Sequence, residues 1–119
     1  MPKSLPVIDM STPLCCTPVA ASPVDDTAAL QVALRLKALA DPVRVKLMSL
    51  LLTSNGGAET TGDLAGAVRL AQSTVSHHLG QLREAGLVES DRQGMNVYHR
   101  ARREALAALC TVLDPNCCR

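Results

Sequence analysis

The chain is almost free of aromatic side chains, and this restricts its fold more than any other feature. Tyr98 is the only aromatic residue among 119. Without Phe or Trp, a core has to be filled by Leu, Val, Ala and Met, the residues that line helix-on-helix contacts. The length allows one domain of roughly 70 to 90 ordered residues plus tails. We therefore expect one mainly α-helical domain, with association into a homodimer adding stability.

Proline and cysteine positions divide the chain into three parts. Residues 1–24 form a predicted flexible arm that carries Cys15 and Cys16. Its prolines remove backbone donors and disfavour helix; they are Pro2, Pro6, Pro13, Pro18 and Pro23. Residues 25–114 form the predicted folded domain, and the tail 115–119 carries Cys117 and Cys118.

No stretch of the sequence has the character of a membrane span or a signal peptide. A run of about 18 apolar residues is absent, and so is a basic start followed by an apolar block. We expect a cytoplasmic protein without a membrane partner.

Two helices are predicted at the start of the folded domain. The first begins at Asp26 or Thr27, either of which can cap it, and ends near Leu39. It has two apolar stripes, which suggests two partners: its own core and a second subunit. Asp41 caps the second helix, with Pro42 at its first position. Residues 43–52 are apolar on nearly all sides, which predicts a buried helix.

The next segment predicts a helix-turn-helix. Thr60 or Thr61 can cap a short third helix over residues 63–68, and a fourth helix covers residues 72–85. Gly86 follows the fourth helix at the position where a left-handed residue is favoured. Two helices joined by about three residues form a helix-turn-helix.

A hairpin follows, and a last helix closes the domain. Residues 87–92 and 95–101 are predicted strands on either side of a turn at Gln93–Gly94. Residues 102–113 return to helical spacing. A short hairpin after a helix-turn-helix predicts a winged helix-turn-helix fold, mainly α with a β-hairpin wing.

The fourth helix has one apolar side and one side that carries small polar groups. Val75, Leu79 and Leu82 share the apolar side. The opposite side has little bulk near the helix N-terminus, where exposed N–H groups favour phosphate. The predicted DNA-binding residues are Gln72, Ser73, Thr74, Ser76 and His77, with Arg92 on the wing. Alone, this segment is more typical of an ordinary solvated helix, but the short helix before it and the arginine-bearing hairpin after it favour a DNA-reading helix.

Charge is concentrated in the same part of the chain. The formal net charge is only +1, but between residues 69 and 103 arginines outnumber acidic residues. The arginines are Arg69, Arg83, Arg92, Arg100, Arg102 and Arg103, and the acidic residues are Glu84, Glu89 and Asp91. Clustered rather than total positive charge is what phosphate binding needs.

Three stretches resemble the ArsR/SmtB family of metal-sensing repressors: 36–44 (LKALADPVR), 72–79 (QSTVSHHL) and 82–88 (LREAGLV). The similarity extends over about residues 28–113. It implies a winged-helix homodimer built on the first and last helices. Such a dimer binds double-stranded operator DNA at an imperfect inverted repeat and releases it when an inducer binds. Ala71 departs from the family, in which Ser or Thr commonly caps the fourth helix.

This chain lacks the residues that form the family's familiar inducer sites. Cysteine sulfur is therefore the remaining candidate ligand. The cysteine motif at the start of the third helix is missing from residues 58–64, and the last helix offers only Glu104. A nitrogen and oxygen site for zinc, cobalt or nickel is therefore not expected. The candidate ligands are Cys15, Cys16, Cys117 and Cys118. We expect As(III) or Sb(III), bound trigonally by thiolates, as the inducer, with no organic cofactor.

The third thiolate is left open. Relatives with an adjacent cysteine pair in the arm take it from near the start of the third helix, where this chain has Asn55 and Gly56. It is therefore Cys110, Cys117 or Cys118, or it is absent, in which case two thiolates would suffice for an organoarsenical, a monosubstituted trivalent arsenical. The position of Cys110 on an apolar stripe favours a small core residue.

Two alternatives use the same cysteines. A redox-sensing repressor would oxidise the pairs instead of binding an ion. A small thiol enzyme such as an arsenate reductase would need a nucleophilic cysteine at a helix N-terminus or in an anion-binding loop, which this sequence does not supply. We therefore expect no enzymatic activity. For His78 and His99 we expect helix packing and strand filling.

Overall fold

The computed structural model describes residues 10–11, 13–14 and 18–114. Cys15, Cys16, Cys117 and Cys118 lie outside these residues. The elements in chain order are α1 (Asp26–Leu39), α2 (Pro42–Leu52), β1 (Glu59–Thr60), α3 (Thr61–Val68), α4 (Gln72–Glu84), β2 (Val88–Gln93), β3 (Asn96–Ala101) and α5 (Arg103–Leu113). The predicted winged helix-turn-helix is confirmed.

Both early helices begin at an aspartate cap. Helix α1 begins at Asp26, as predicted, but its cap is Asp25 rather than Asp26 or Thr27: the Asp25 carboxylate accepts from Ala28 N–H at 2.8 Å. Asp41 caps α2 as predicted, accepting from Val43 N–H at 2.8 Å with Pro42 at the first position. Each cap satisfies N–H groups that have no partner inside the helix.

The helix-turn-helix has the predicted boundaries to within two residues. Thr60 caps α3 through its hydroxyl, which accepts from Asp63 N–H at 3.1 Å. The turn to α4 begins at Arg69, which adopts left-handed backbone with φ 59°. After α4, Gly86 has φ 75°. Its N–H donates to Arg83 O, and Leu87 N–H donates to Leu82 O. This double closure is the Schellman motif, which requires a left-handed residue and so explains the glycine.

The wing is part of a three-stranded antiparallel sheet with the order β1-β3-β2. The sequence predicted only the hairpin, because the two residues of β1 are too few to show alternation. The tight turn is Gly94–Met95, one residue later than predicted, since Gln93 pairs with Asn96. Gly94 has φ 63° at the first turn position, as a type II′ hairpin requires.

Two groups of buried side chains hold the domain together. The larger group joins α2, α3, α4 and the base of the wing, with Leu47, Leu79 and Leu87 completely buried. The smaller one joins α1 to α5 through Val32, Leu109 and Val112, with Leu14 of the arm packed against it. The first and last helices therefore pack together, and part of the arm lies on them.

The prediction that α2 is buried on nearly all sides is wrong for this single chain. Leu47, Met48 and Leu51 are buried, but Val45 is 54% exposed. On α1 the buried face includes Arg35, while Leu34 and Leu36 are exposed. The excess of apolar residues on these helices therefore lies at the surface of the chain.

No helix in the described part of the chain combines the length and the apolar character needed to cross a bilayer.

Candidate nucleic-acid interface

Helix α4 packs with one face and presents a polar face outward, as predicted. Val75, Leu79 and Leu82 are completely buried. The exposed side chains on the other face are Gln72, Ser73, Thr74, Ser76 and His77. Short hydroxyl side chains leave room for a close approach, and amide, hydroxyl and imidazole groups can all hydrogen-bond to base edges.

The start of α4 is open. Ala71 has the extended backbone of a cap residue, with φ −63° and ψ 147°, but makes no side-chain cap hydrogen bond. The first-turn N–H groups of a helix have no intrahelical acceptor. They can therefore donate to a phosphate oxygen, and the helix dipole favours a negative charge there.

A cleft joins the start of α4 to the wing. It is lined by the start of α3, the first turns of α4 and the beginning of β3, with residues Thr60, Thr61, Gly62, Gln72, Ser73, Ser76, Met95, Asn96 and Val97. Three of the predicted DNA-binding residues lie in this cleft. Thr74 and His77 lie on the same exposed face of α4 outside it.

The wing carries positive charge near its end. Arg92 is exposed and pairs in register with Val97, one pair from the turn. Arg100, further back on β3, is also exposed. Met95 at the turn is 97% exposed. The wing therefore presents guanidinium groups on the same domain as the polar face of α4.

Two other arginines of the basic segment have structural partners. Arg102 Nε lies 3.2 Å from Glu104 Oε1, and Arg102 also donates to the carbonyl of Gly86. Arg103 donates to the carbonyl of Leu52 at the end of α2. These two side chains brace the start of α5 against neighbouring elements, so counting arginines overstates the charge available to a ligand.

His78 packs inward beside α2, as expected. Its Nδ1 lies 3.4 Å from a guanidinium nitrogen of Arg44. The nearby Asp41 has a lowered pKa: partial desolvation raises the value, but the Arg44 and Val43 N–H bonds and the charges of His78 and Arg44 outweigh it. This cluster ties the cap of α2 to the middle of α4.

His99 makes contacts that the sequence did not predict. It is only 3% exposed. Its Nε2 lies 2.7 Å from Thr61 Oγ1, and its Nδ1 lies 2.7 Å from Ser90 Oγ. Burial, with the nearby charge of Arg83, lowers the pKa of His99. The ring is therefore kept neutral and joins the wing to the first turn of α3.

Of the five cysteines, Cys110 lies within the described part of the chain. Cys110 on α5 is half-buried, belongs to neither group of core side chains, and is disulfide-bonded. Within residues 10–11, 13–14 and 18–114, no three His, Cys, Asp or Glu side chains are grouped to hold a metal ion. The two predicted cysteine pairs are not among these residues.

The described parts of the arm contact α5 close to Cys110. Leu14 packs against Val32, Leu109 and Val112. Val19 N–H donates to the Val112 carbonyl at 2.6 Å. The residues on both sides of the first cysteine pair in the sequence thus lie against the helix that carries Cys110.

Comparison with known proteins identifies the same fold and the same class. Residues 41–90 match the family model described as bacterial regulatory protein, arsR family. The chain is 45% identical over 78 residues to the HTH-type transcriptional regulator NmtR of Mycobacterium tuberculosis. The aligned segment covers 66% of the chain and 62% of the relative. The chain thus spans less than two thirds of that relative.

Two further comparisons bear on function and assembly. The arsenic resistance transcriptional regulator ArsR1 of Pseudomonas putida is 40% identical over 84 residues, covering 67% of the chain and 64% of the relative. A homodimeric winged helix-turn-helix DNA-binding domain from Mycobacterium bovis, solved in solution, is 33% identical with a TM-score of 0.61, covering 77% of the chain and 85% of the solved one.

The match to the family model includes α4, and the matching proteins are regulators of transcription rather than enzymes. A thiol enzyme such as an arsenate reductase is therefore set aside. The chain belongs to the ArsR family of bacterial DNA-binding transcriptional regulators.

Proposed function

We propose that the chain is a metalloid-responsive repressor that binds double-stranded operator DNA as a homodimer and dissociates when As(III) or Sb(III) binds its thiolates. The observation that carries the DNA-binding part is the polar face of α4, exposed beside the wing cleft. Acting on bacterial DNA, it works in the cytoplasm.

In the proposed complex, α4 lies in the major groove. Gln72 pairs with adenine, while Ser73, Ser76 and His77 contact neighbouring base edges. Thr74 and the open first turn of α4 contact phosphate, and Arg92 reaches the minor groove or the flanking phosphates. The exposure of these groups supports this assignment.

A homodimer built on α1 and α5 accounts for the apolar surface. Leu34 and Leu36 on α1 and Leu113 on α5 are each more than a third exposed. Covering them with a second copy removes this surface from water. The relative from Mycobacterium bovis is homodimeric, which supports a homodimer for this chain. A symmetric pair of reading helices implies an operator with an inverted repeat.

The inducer site in this proposal uses Cys15 and Cys16, with Cys110 as the third thiolate. The contacts of Leu14 and Val19 with α5 favour Cys110 over Cys117 and Cys118. Arsenite, As(OH)3, reacts with three cysteine thiols: each thiol proton leaves with one hydroxyl as water, three As–S bonds replace three As–O bonds, and arsenic stays in the +3 state. The disulfide of Cys110 must first be reduced, by two electrons and two protons from a thiol reductant. The name of the Pseudomonas putida relative, an arsenic resistance regulator, supports a metalloid.

Thiolate capture is coupled to DNA release through the dimer. Joining the arm to α5 changes the helix pair on which the two subunits meet, and thereby the separation of the two α4 helices. A coupling free energy of about 1–3 kcal/mol changes operator affinity roughly 5- to 150-fold. That is enough to switch repression.

A redox-sensing repressor is the second candidate, favoured by one observation: Cys110 is in a disulfide. In that mechanism two thiols lose two protons and two electrons to form the disulfide, and one peroxide is reduced to two waters. The same helix would then respond to an oxidant without any ion.

A gel shift separates the two candidates. The probe is a duplex enriched from a random library by the wild-type chain in reducing buffer, challenged with arsenite, antimonite, cadmium, lead, zinc or peroxide. We expect arsenite and antimonite at low micromolar levels to release the duplex, and Cys15→Ser/Cys16→Ser to abolish release. Cys110→Ser should weaken it, and Cys117→Ser/Cys118→Ser is the matched control that should respond as wild type.

The metalloid proposal is wrong if arsenite leaves the affinity unchanged in reducing buffer. Release by peroxide alone, lost in Cys110→Ser, would instead establish the redox mechanism.

A further inference from the structure

A hydrogen-bonded chain centred on the buried His99 connects α4, the proposed reading helix, to the wing. Arg83 in the last turn of α4 donates to Ser90 Oγ on β2 at 3.2 Å. Ser90 Oγ lies 2.7 Å from His99 Nδ1 on β3, and His99 Nε2 lies 2.7 Å from Thr61 Oγ1 in α3. Four side chains thus link the helix-turn-helix to both strands of the wing.

A neutral His99 satisfies both neighbours in either tautomer. A guanidinium only donates, so Ser90 Oγ accepts from Arg83. With its proton on Nε2, the ring donates to Thr61 Oγ1 and accepts from the Ser90 hydroxyl. With its proton on Nδ1, the ring donates to Ser90 Oγ and accepts from the Thr61 hydroxyl.

The outer part of the wing has little else to hold it. From Asp91 to Asn96 every residue is exposed, so the hairpin beyond Ser90 is not packed against the helices. The orientation of Arg92 relative to α4 therefore depends on how the base of the hairpin is attached. His99, buried in the middle of β3, is the polar side chain at that base with contacts to both α3 and β2.

We propose that His99 is a positioning residue that holds the wing in register with the reading helix, so that Arg92 and the polar face of α4 reach one DNA site together. This inference rests on the DNA-reading part of the proposed function. It assigns no contact with DNA to His99 itself, whose side chain is buried.

The experiment compares Ser90→Ala with Ser90→Thr on the enriched wild-type duplex. Ser90→Ala removes the connection between Arg83 and His99, whereas Ser90→Thr retains the hydroxyl. His99→Leu removes the central side chain of the hydrogen-bonded chain. Thr53→Ala is the matched control, because it deletes a hydroxyl hydrogen bond to Ser49 O at the end of α2. Guanine methylation reports the major groove, and hydroxyl-radical cleavage reports the flanking backbone.

We expect Ser90→Ala and His99→Leu to keep methylation protection at saturating protein but to lose flanking protection. The slope of log affinity against log salt should fall by about 1 for each phosphate that the variant no longer neutralises. Ser90→Thr and Thr53→Ala should behave as wild type. If His99→Leu fails to fold, the Ser90 pair decides the question.

Wild-type footprints and salt slopes in Ser90→Ala would overturn the inference, as would equal losses in Ser90→Ala and Ser90→Thr. A wild-type chain that enriches no duplex at all would defeat the proposed function itself. The two failures are therefore distinguishable.

Discussion

At the scale of single residues, the polar side chains buried in the described part of the chain are Arg35 and His99. Each is hydrogen-bonded, as burial of a polar group requires: Arg35 donates to Gln31 O at 3.0 Å, and His99 bonds through both ring nitrogens. A buried neutral histidine links folding to pH, because the unfolded chain can protonate it freely.

We predict that the free energy of unfolding decreases as the pH falls below about 6.5, the ordinary histidine value. Burial and the charge of Arg83 lower the pKa of His99. The unfolded chain therefore binds more protons in this range, and stability is lost as the pH falls. Glu59 is the cross-strand neighbour of His99 on β1. Urea unfolding between pH 7.5 and 5.5 measures the effect.

The matched variants are His99→Gln, which should show a weaker pH dependence, and His77→Gln at an exposed position, which should retain that of the wild type. Equal pH dependence in His99→Gln and the wild type would contradict the prediction.

At the scale of secondary structure, α4, which carries the proposed DNA-reading face, begins without a side-chain cap hydrogen bond. Ala71 already has cap geometry, so Ala71→Ser should raise the free energy of unfolding by about 0.5–2 kcal/mol. Chemical denaturation measures this. The same hydroxyl would compete with phosphate for the first-turn N–H groups, so we expect DNA affinity not to rise with stability. A serine variant no more stable than wild type would show that the first turn is already satisfied.

Alanine substitutions at two glycines should change the stability of the fold in opposite directions. Gly86 has φ 75°, and an added Cβ would lie 1.9 Å from Met10 O. Gly86→Ala should therefore cost at least about 1–2 kcal/mol of stability. Gly66 lies inside α3 with open space around it, so Gly66→Ala should stabilise by about 0.5–1 kcal/mol. Thermal melts compare them, and a stability loss at Gly66 as large as at Gly86 would refute this account.

Local signals predicted most of these elements. The caps Asp41 and Thr60, the glycine after α4 and the polar face of α4 all depend on residues close in sequence. The contacts that were missed depend on pairing across the chain. Thr61 meets His99 only because β1 pairs with β3, with Glu59 opposite His99, and no periodicity of 3.6 or 2 shows such a contact.

At the scale of the whole molecule, the apolar surface predicts assembly. Leu36 on α1 is 39% exposed and Leu70 in the turn before α4 is 38% exposed. If α1 forms the dimer contact, Leu36→Glu should shift the chain to a monomer and weaken DNA binding, while Leu70→Glu should leave the dimer intact. Sedimentation velocity measures both. A dimer that survives Leu36→Glu but not Leu70→Glu would place the interface elsewhere.

The inducer site belongs to this scale as well, since in the proposed dimer the arm, α5 and the second subunit all meet near Cys110. The role of the cysteine pairs stays a prediction, because both pairs lie outside the described residues. The apolar stripe of α5 favoured Cys110 as a core residue. In the structure Cys110 is half-buried, is not among the side chains of the two core groups and is in a disulfide. Periodicity along one helix does not predict such a bond, because a disulfide depends on which other cysteine comes close.

The central claim is that α4 reads DNA from a symmetric pair of subunits. Selection of duplexes from a random library by the wild-type chain, followed by sequencing, tests it most directly. We predict an enriched inverted repeat whose half-sites are separated by about 10 base pairs or a multiple of this, and no enrichment of it by Ser73→Ala/His77→Ala. Enrichment of sequences without repeat symmetry, or equal enrichment by the double variant, would contradict the claim.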